Sequence, residues 1–354
     1  MDSERVFEPG ECELEPLRLN ETDLVIAMVS GQIAHPVAQG NPYRIGYDGA
    51  SRVLPGTGGI AVNQRIGDRC VGLSGDHVEP GVALHNNGRE VIGPRNGPNN
   101  AMLTYACVGN RATVTSGPCA GQRGLVTGKH GGVNHVLIDF PTRVLERLCI
   151  GDRIQIRSCG LGLRLLEFPS ITVMNSSPEL LRRWQIRPLS GKLAVRVTHR
   201  IPARLMGSGL GKNSALRGDY DIQIADPELR RKFRLGRLRY GDFVAIVGSA
   251  TGHGPSVRSA QTTIGVVVHG DSTVSGHGPG VSPLLSGPTS LLNLVHDSDA
   301  NLAAVFDVRR PAVPRDYTPL PWKDRAQKST NGPSRNYSLP TRSNSVVGIR
   351  QAVK

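Results

Sequence analysis

The chain has 354 residues, 38% of them hydrophobic and only 4% aromatic, with 43 glycines and 25 prolines. That balance allows a sizeable core and two ordinary domains, and it favours turn-rich β structure over a helical bundle. The net charge of +13 invites a nucleic-acid partner, but ten Lys/Arg against two Asp/Glu fall in Arg309–Lys354 alone.

That tail is rich in Pro, Ser and Asn and has no apolar period, so it reads as disordered, and any nucleic-acid contact is expected through it. No stretch reaches the roughly 20 apolar residues of a membrane span, and Met1–Pro16 is acidic where a signal peptide would be apolar. No membrane partner is expected. None of the six cysteines forms a C-x-x-C pair, which argues against a zinc ribbon and for a cytoplasmic protein with reduced thiols. A homo-oligomer is left open.

In chain order, residues 1–19 read as a flexible acidic arm. Asp23–Ala34 is an apolar run with Gly31 inside, expected as a strand with a bulge. A glycine cluster, Leu54–Gly59, leads into a strand over Ile60–Ile66, and Cys70–Leu73 is expected as another short strand. Asn86–Asn100 is a long polar loop of the kind that can act as a lid. Over 117–162, glycine turns separate strands at Gly124–Gly128, His135–Phe140 and Ile154–Arg157, with a helical turn at Thr142–Cys149. This grammar predicts a small SH3-like barrel.

Two helix starts repeat one order: Ser177-Pro178-Glu179 and Asp226-Pro227-Glu228 each place a capping side chain before Pro and Glu. Strands are predicted over Lys192–His199, Phe243–Val247 and Thr263–Val268, and a helical stretch over Ser290–Phe306. The fold class is mainly β in two parts, 20–187 and 188–308, followed by the disordered basic tail at 309–354.

The densest chemistry lies in Gly75-Asp76-His77-Val78-Glu79-Pro80-Gly81. In an extended chain His77 and Glu79 share one face, with Asp76 on the other. His269-x-Asp271 repeats the alternation, and His277 sits in a glycine loop, Gly276–Gly280. The candidate catalytic residues are therefore Asp76, His77, Glu79, His269, Asp271 and His277. His77, Glu79 and His277 are the candidate metal ligands, with His85 and His269 as alternatives for the third position. A divalent metal is the candidate cofactor. The bland alternative is a turn whose Asp and His satisfy loop backbone. Two unrelated surface turns are likewise the alternative to one shared cleft for Gly75–Gly81 and His269–Gly280. Glycine loops that offer N–H groups to an anion, with nearby polar side chains, form the ligand-binding set: Asn41, Tyr43, Arg44, Gly58, Gly59, Gly207, Gly209, Gly211 and Lys212.

Several motifs fail their tests. Met206 stands where a P-loop needs its first Gly, and Pro118-Cys119 lacks the second Cys of a zinc deaminase. No G-x-S-x-G elbow and no strand–G-x-G-x-x-G–helix unit occurs. The reading that survives is a metal-assisted hydrolase or lyase acting on a small polar or anionic molecule. A non-catalytic metabolite- or nucleic-acid-binding protein is the alternative.

Asn41-Pro42-Tyr43-Arg44, Leu54–Ile60, Gly75–Gly81, Met206–Gly211, Gly218–Gln223, Ile264–Asp271 and Gly276–Val281 together resemble the signature stretches of an uncharacterised bacterial and archaeal family. That family is a domain of unknown function with N- and C-terminal parts. The resemblance spans roughly Asn20 to Val308. It implies a mainly β architecture with a small SH3-like barrel and carries over no activity.

Overall fold

Along Arg153–Ser158 the residues alternate, so that Ile154 and Ile156 are buried while Arg153, Gln155 and Arg157 face out. A chain that buries every second side chain must present one face to a core, and here that core is the inside of a barrel. The computed structural model describes residues 17–37, 43–88, 97–210 and 214–308, all within one compact unit. The acidic arm up to residue 16, Asn41, Gly211, Lys212 and the basic tail from 309 lie outside the described residues.

Six strands close the barrel in the order Ala27–Ile33, Arg153–Ser158, Arg111–Val114, Arg123–His130, His135–Asp139, Gly81–His85, and back to Ala27–Ile33. The barrel expected at 117–162 is thus completed by strands from earlier in the chain. The first strand pairs Ala27–Gln32 with 153–158, then Gln32 and Ile33 with His85 and Leu84. Its register against 153–158 is unbroken, so Gly31 makes no bulge. A Cβ at Gly31 would lie 2.8 Å from Met102 Sδ and 2.9 Å from the His85 carbonyl. The glycine permits the close approach at closure. Val82, Leu84, Val126, Val136, Ile138 and Ile154 fill the interior, joined by Met102 and Leu103 of the Gly97–Tyr105 helix. That helix takes the last residues of the stretch expected as a long loop.

The second part is a six-stranded sheet. Thr172–Val173, Gly280–Pro288, Ser256–His269, Phe243–Ala250 and His199–Pro202 follow in order, and Tyr220–Asp221 pairs with Gly280–Pro288. Trp184 stacks on Phe243 with ring centroids 3.9 Å apart, inside a core that also takes Leu125, Leu137, Val266 and Val268. Ser177 and Asp226 cap their helices, Pro178–Arg183 and Pro227–Lys232, as their spacing predicts. Ser290–Phe306 is not one helix. Leu292–His296 is a strand parallel to Lys192–Val197, and only Leu302–Val305 is helical. The β-branched and leucine residues of Leu292–His296 complete a sheet edge, which a helix there would leave open.

Ile60–Ile66 contributes only the short strand Ile60–Ala61, and Cys70–Leu73 is irregular apart from the bridge at Arg69 to Arg239. This loop is anchored on both sides. Arg65 Nε and Nη2 donate to Asp139 Oδ1 and Oδ2 of the barrel at 3.0 and 2.6 Å, a buried bidentate pair. Gly67 N donates to the Tyr240 carbonyl and Cys70 N to that of Leu238. Among the described residues no helix is long and apolar enough to cross a membrane.

Candidate metal centre

The seam between barrel and sheet is held at a very short distance. A Cβ on Gly128 would lie 2.1 Å from Val268 Cγ1, so the Arg123–His130 strand can press against Ser256–His269 only because that side chain is missing. Ser282 Oγ donates to the Lys129 carbonyl at 3.0 Å across the same seam. Both strands end there, which brings the His130 and His269 rings to 4.1 Å.

The 75–81 segment meets them from the side. It is a turn and not an extended chain. His77 adopts φ +54°, a left-handed conformation that costs a residue with a Cβ on the order of 1 kcal/mol or more. It is held there because His77 N donates to the Asp271 carbonyl and Gly270 N to the Val78 carbonyl, both at 2.9 Å. Asp219 precedes and Asp221 ends the two-residue strand Tyr220–Asp221, and the alternation about the fully buried Tyr220 turns both carboxylates away from its core. The Gly276–Gly280 loop lies directly on this strand. A Cβ at Gly278 would come within 1.9 Å of the Ile222 carbonyl.

The result is a cluster of four imidazoles and two carboxylates. His77 Nε2 lies 3.1 Å from His277 Nδ1 and 3.4 Å from Asp221 Oδ2, and His277 Nδ1 lies 3.0 Å from that same oxygen. Beside this trio, His269 Nε2 is 2.8 Å from Asp219 Oδ2 and 3.5 Å from Asp221 Oδ1. The donor atoms of His130, Asp219 and His269 all lie within 4.8 Å of one another. His269 Nε2 and Asp221 Oδ2 are buried and form no hydrogen bond. All of the cluster except the fully buried His269 lines a cleft of about 240 Å³, with Arg44, Thr57 and Ser208 on its walls.

The far side of each ring is also tied. His77 Nδ1 faces Asp76 Oδ1 at 3.2 Å, His130 Nδ1 donates to Glu79 Oε1 at 2.6 Å, and His269 Nδ1 donates to the Gly270 carbonyl at 2.8 Å. A proton held on Nδ1 leaves the Nε2 electron pair for the cleft, the arrangement by which supporting groups orient metal-binding histidines. Burial opposes ionisation of Asp221, but the His269, His277 and His77 rings outweigh it and hold its carboxyl well below the usual range. Burial likewise works against a proton on His269, yet Asp219 and Asp221 raise it well above an ordinary imidazole. His130 goes the other way: burial and the neighbouring His269 together depress it despite Glu79.

Residues 43–182 match the N-terminal part of a domain of unknown function, DUF4438, and residues 183–306 match its C-terminal part. The chain belongs to the DUF4438 family. It is similar to the crystal structure of TM1086, with 39% identity, a TM-score of 0.76, and coverage of 83% of this chain and 99% of that one. No curated protein matches it. The candidate site of this chain draws on both matched parts: Asp76, His77, Glu79 and His130 come from the first, and Asp219, Asp221, His269 and His277 from the second.

The DUF4438 structure brings His77, His269 and His277 together, and it relocates three expected residues. Glu79, expected as a ligand, has no oxygen free to be one. His130 and His135 donate to it, and Gly58 N donates to Oε2 at 2.6 Å. Asp76 supports His77 and binds Arg44 Nε at 3.3 Å; although burial opposes its charge, the His77, Ser272 and Arg44 contacts hold it at about 2. Asp271 points away from the cleft and accepts from Gly72 N at 2.8 Å. His85 lies beside Asn87 and His135, outside the cluster.

Of the expected ligand-binding set, Arg44 lines the cleft and Tyr43 is 60% exposed. Gly58 serves Glu79, and Gly59 N donates to the Ala34 carbonyl. Gly207 and Gly209 are packing glycines, since a Cβ on them would meet the Gly276 carbonyl at 2.1 Å and the Asp219 carbonyl at 2.8 Å.

Because Glu79 collects His130, His135 and the Gly58 amide, Glu79→Gln is expected to leave the fold in place and to weaken divalent-metal binding by roughly 10- to 100-fold. Calorimetric titration with Zn²⁺ or Mn²⁺ measures this; an unchanged affinity would deny Glu79 its orienting part.

Proposed function

We propose that this chain is a metal-dependent enzyme of the hydrolase or lyase type, acting on a small polar or anionic molecule in the His77–Asp221–His277 cleft. One observation carries the reading. The three donor atoms stand 3.0, 3.1 and 3.4 Å apart. Ligands about 2.1 Å from a common centre are about 3.0 Å apart at right angles and about 3.4 Å apart in a tetrahedron. The trio has the edges of a coordination shell, and two imidazoles with one carboxylate leave further positions open for water and substrate.

When bound, such an ion polarises a substrate oxygen and makes coordinated water more acidic. The side chains supply the rest. Arg44 offers a cation at the rim for an anionic group, and Asp76 holds that guanidinium in place. Ser208 and Thr57 offer hydroxyls on the walls. A space of about 240 Å³ lies below the ~300–1,000 Å³ of pockets for drug-sized ligands, so it selects a small substrate.

The test is elemental analysis of protein purified without a His-tag, followed by assay on small phosphate, carboxylate-ester and amide substrates. Wild-type protein is expected to carry metal and to lose turnover on chelation, and His77→Ala to lose metal from its trio. A protein with no metal that instead binds RNA in a salt-sensitive manner would replace this reading by the binding-module alternative.

A further inference from the structure

We propose that the two trios form one dinuclear centre bridged by Asp221, which holds two divalent cations side by side. The proposal rests on the metal reading above and extends it. Asp221 divides its oxygens: Oδ2 faces His77 and His277 at 3.4 and 3.0 Å, while Oδ1 faces His269 Nε2 at 3.5 Å. A carboxylate placed so, with a histidine-rich trio on each side, is the bridge that joins ions about 3.5–4 Å apart in two-metal sites. The His77 and His269 rings, one from each trio, have centroids 5.1 Å apart, which keeps the two donor sets adjacent.

The second trio has its own marks of a cation site. His269 is fully buried, its Nδ1 is committed to the Gly270 carbonyl, and its Nε2 faces carboxylate oxygens of Asp219 and Asp221 at 2.8 and 3.5 Å. The ring nitrogen and the carboxylate oxygens converge, so a cation placed among them would meet all of them at once. Position 280 keeps that point clear. A Cβ on Gly280 would lie 2.1 Å from His269 Nε2 and 2.2 Å from Asp219 Oδ2, so any side chain there intrudes between the donors. His130 completes the set, its Nδ1 fixed by the buried Glu79. Two ions sharing one carboxylate would clamp a substrate at two oxygens, which suits a phosphate ester or a carboxylate better than a neutral molecule.

The experiment is a metal titration of the full-length, tag-free, chelator-stripped chain with Mn²⁺, read by equilibrium binding and electron paramagnetic resonance. Binding of about two equivalents with an exchange-coupled spectrum is expected. His269→Gln is expected to bind about one equivalent and to show the six-line signal of an isolated ion. Gly280→Ala, which removes no donor residue but crowds His269 and Asp219, is expected to do the same, with circular dichroism to check that the variants fold. Saturation of the wild type at one equivalent with an uncoupled signal, abolished by His77→Ala, overturns the dinuclear centre and leaves the single-metal reading standing. No binding at all overturns both. The wild-type spectrum decides the matter even if a variant does not fold.

Discussion

Asp221→Asn is expected to weaken metal binding by more than roughly 100-fold, a larger loss than follows from removing a supporting group outside the ligand shell. The reason is geometric. Among the described residues, Asp221 is the side chain whose oxygens face imidazoles of both trios, His77 and His277 on one side and His269 on the other. The amide keeps the shape but loses the charge that two buried rings, His77 and His269, and the half-buried His277 surround. Metal content and any metal-dependent turnover should fall together, and retention of full metal content would remove Asp221 from the centre.

The metal-free protein should also show a change, with a defined pH window. The folded carboxyl of Asp221 is depressed, so its contribution to stability is present above the unfolded value of ~3.9 and is lost as pH falls through the folded value. His269 is raised, so its contribution is full below the unfolded value of ~6.5 and is lost as pH rises through the folded value. Asp221→Asn should therefore lower the melting temperature in chelator most between those two unfolded values, near pH 5, and least in alkaline buffer. A pH-independent difference would count against a charge-based account.

Arg65→Ala is expected to destabilise the protein by about 3–5 kcal/mol, because it leaves Asp139 buried without its partner. For a domain of this size that corresponds to a fall in melting temperature on the order of 10 °C. The pair ties the loop that carries Asp76, His77 and Glu79 to the barrel wall, so metal affinity should drop with it. The combined replacement Arg65→Met with Asp139→Leu should recover most of the stability, since well-packed apolar groups can substitute for a buried ion pair. Scanning calorimetry separates the cases. A single variant as stable as the wild type would show that the loop is held by its backbone contacts to Leu238 and Tyr240 alone.

Much of this site is legible in the sequence, but in halves. His77 and His277 stand out because each is fenced by glycines, and two such fenced segments need each other to satisfy their polar groups. Asp219 and Asp221 carry the same alternating signal as His77 and Glu79, yet the Gly218-Asp219 pair also fits an ordinary turn, which hides them. His130 stands alone in the sequence. Its partner Glu79 is brought to it only by the pairing of Val82 with Ile138 and of His130 with His135. Local spacing also misplaced Glu79. The face of an extended chain does not apply where His77 sits at φ +54°, and a left-handed residue outside glycine leaves no mark in composition. The barrel shows the same limit. Its later strands are visible as turn-and-strand units, whereas closure depends on Ala27–Ile33 and Gly81–His85, which are joined to them by register alone.

Every barrel strand lies between residues 27 and 158, while the last wall of the metal cleft is laid down only at residues 269–280. At a synthesis rate of about 5–20 residues per second, that gap is roughly 6–24 s of translation. For that interval a nascent chain carries His77 and His130 without the complete 269–280 segment, and for its first half without Asp219 or Asp221 as well. In the proposed centre an ion would find its full donor set only once the second half of the chain has docked. Loading would then be a late step of biosynthesis: a retained ion would report that the distant halves of the polypeptide have met, and a chain truncated before Asp219 would lack four of the six groups of the cluster.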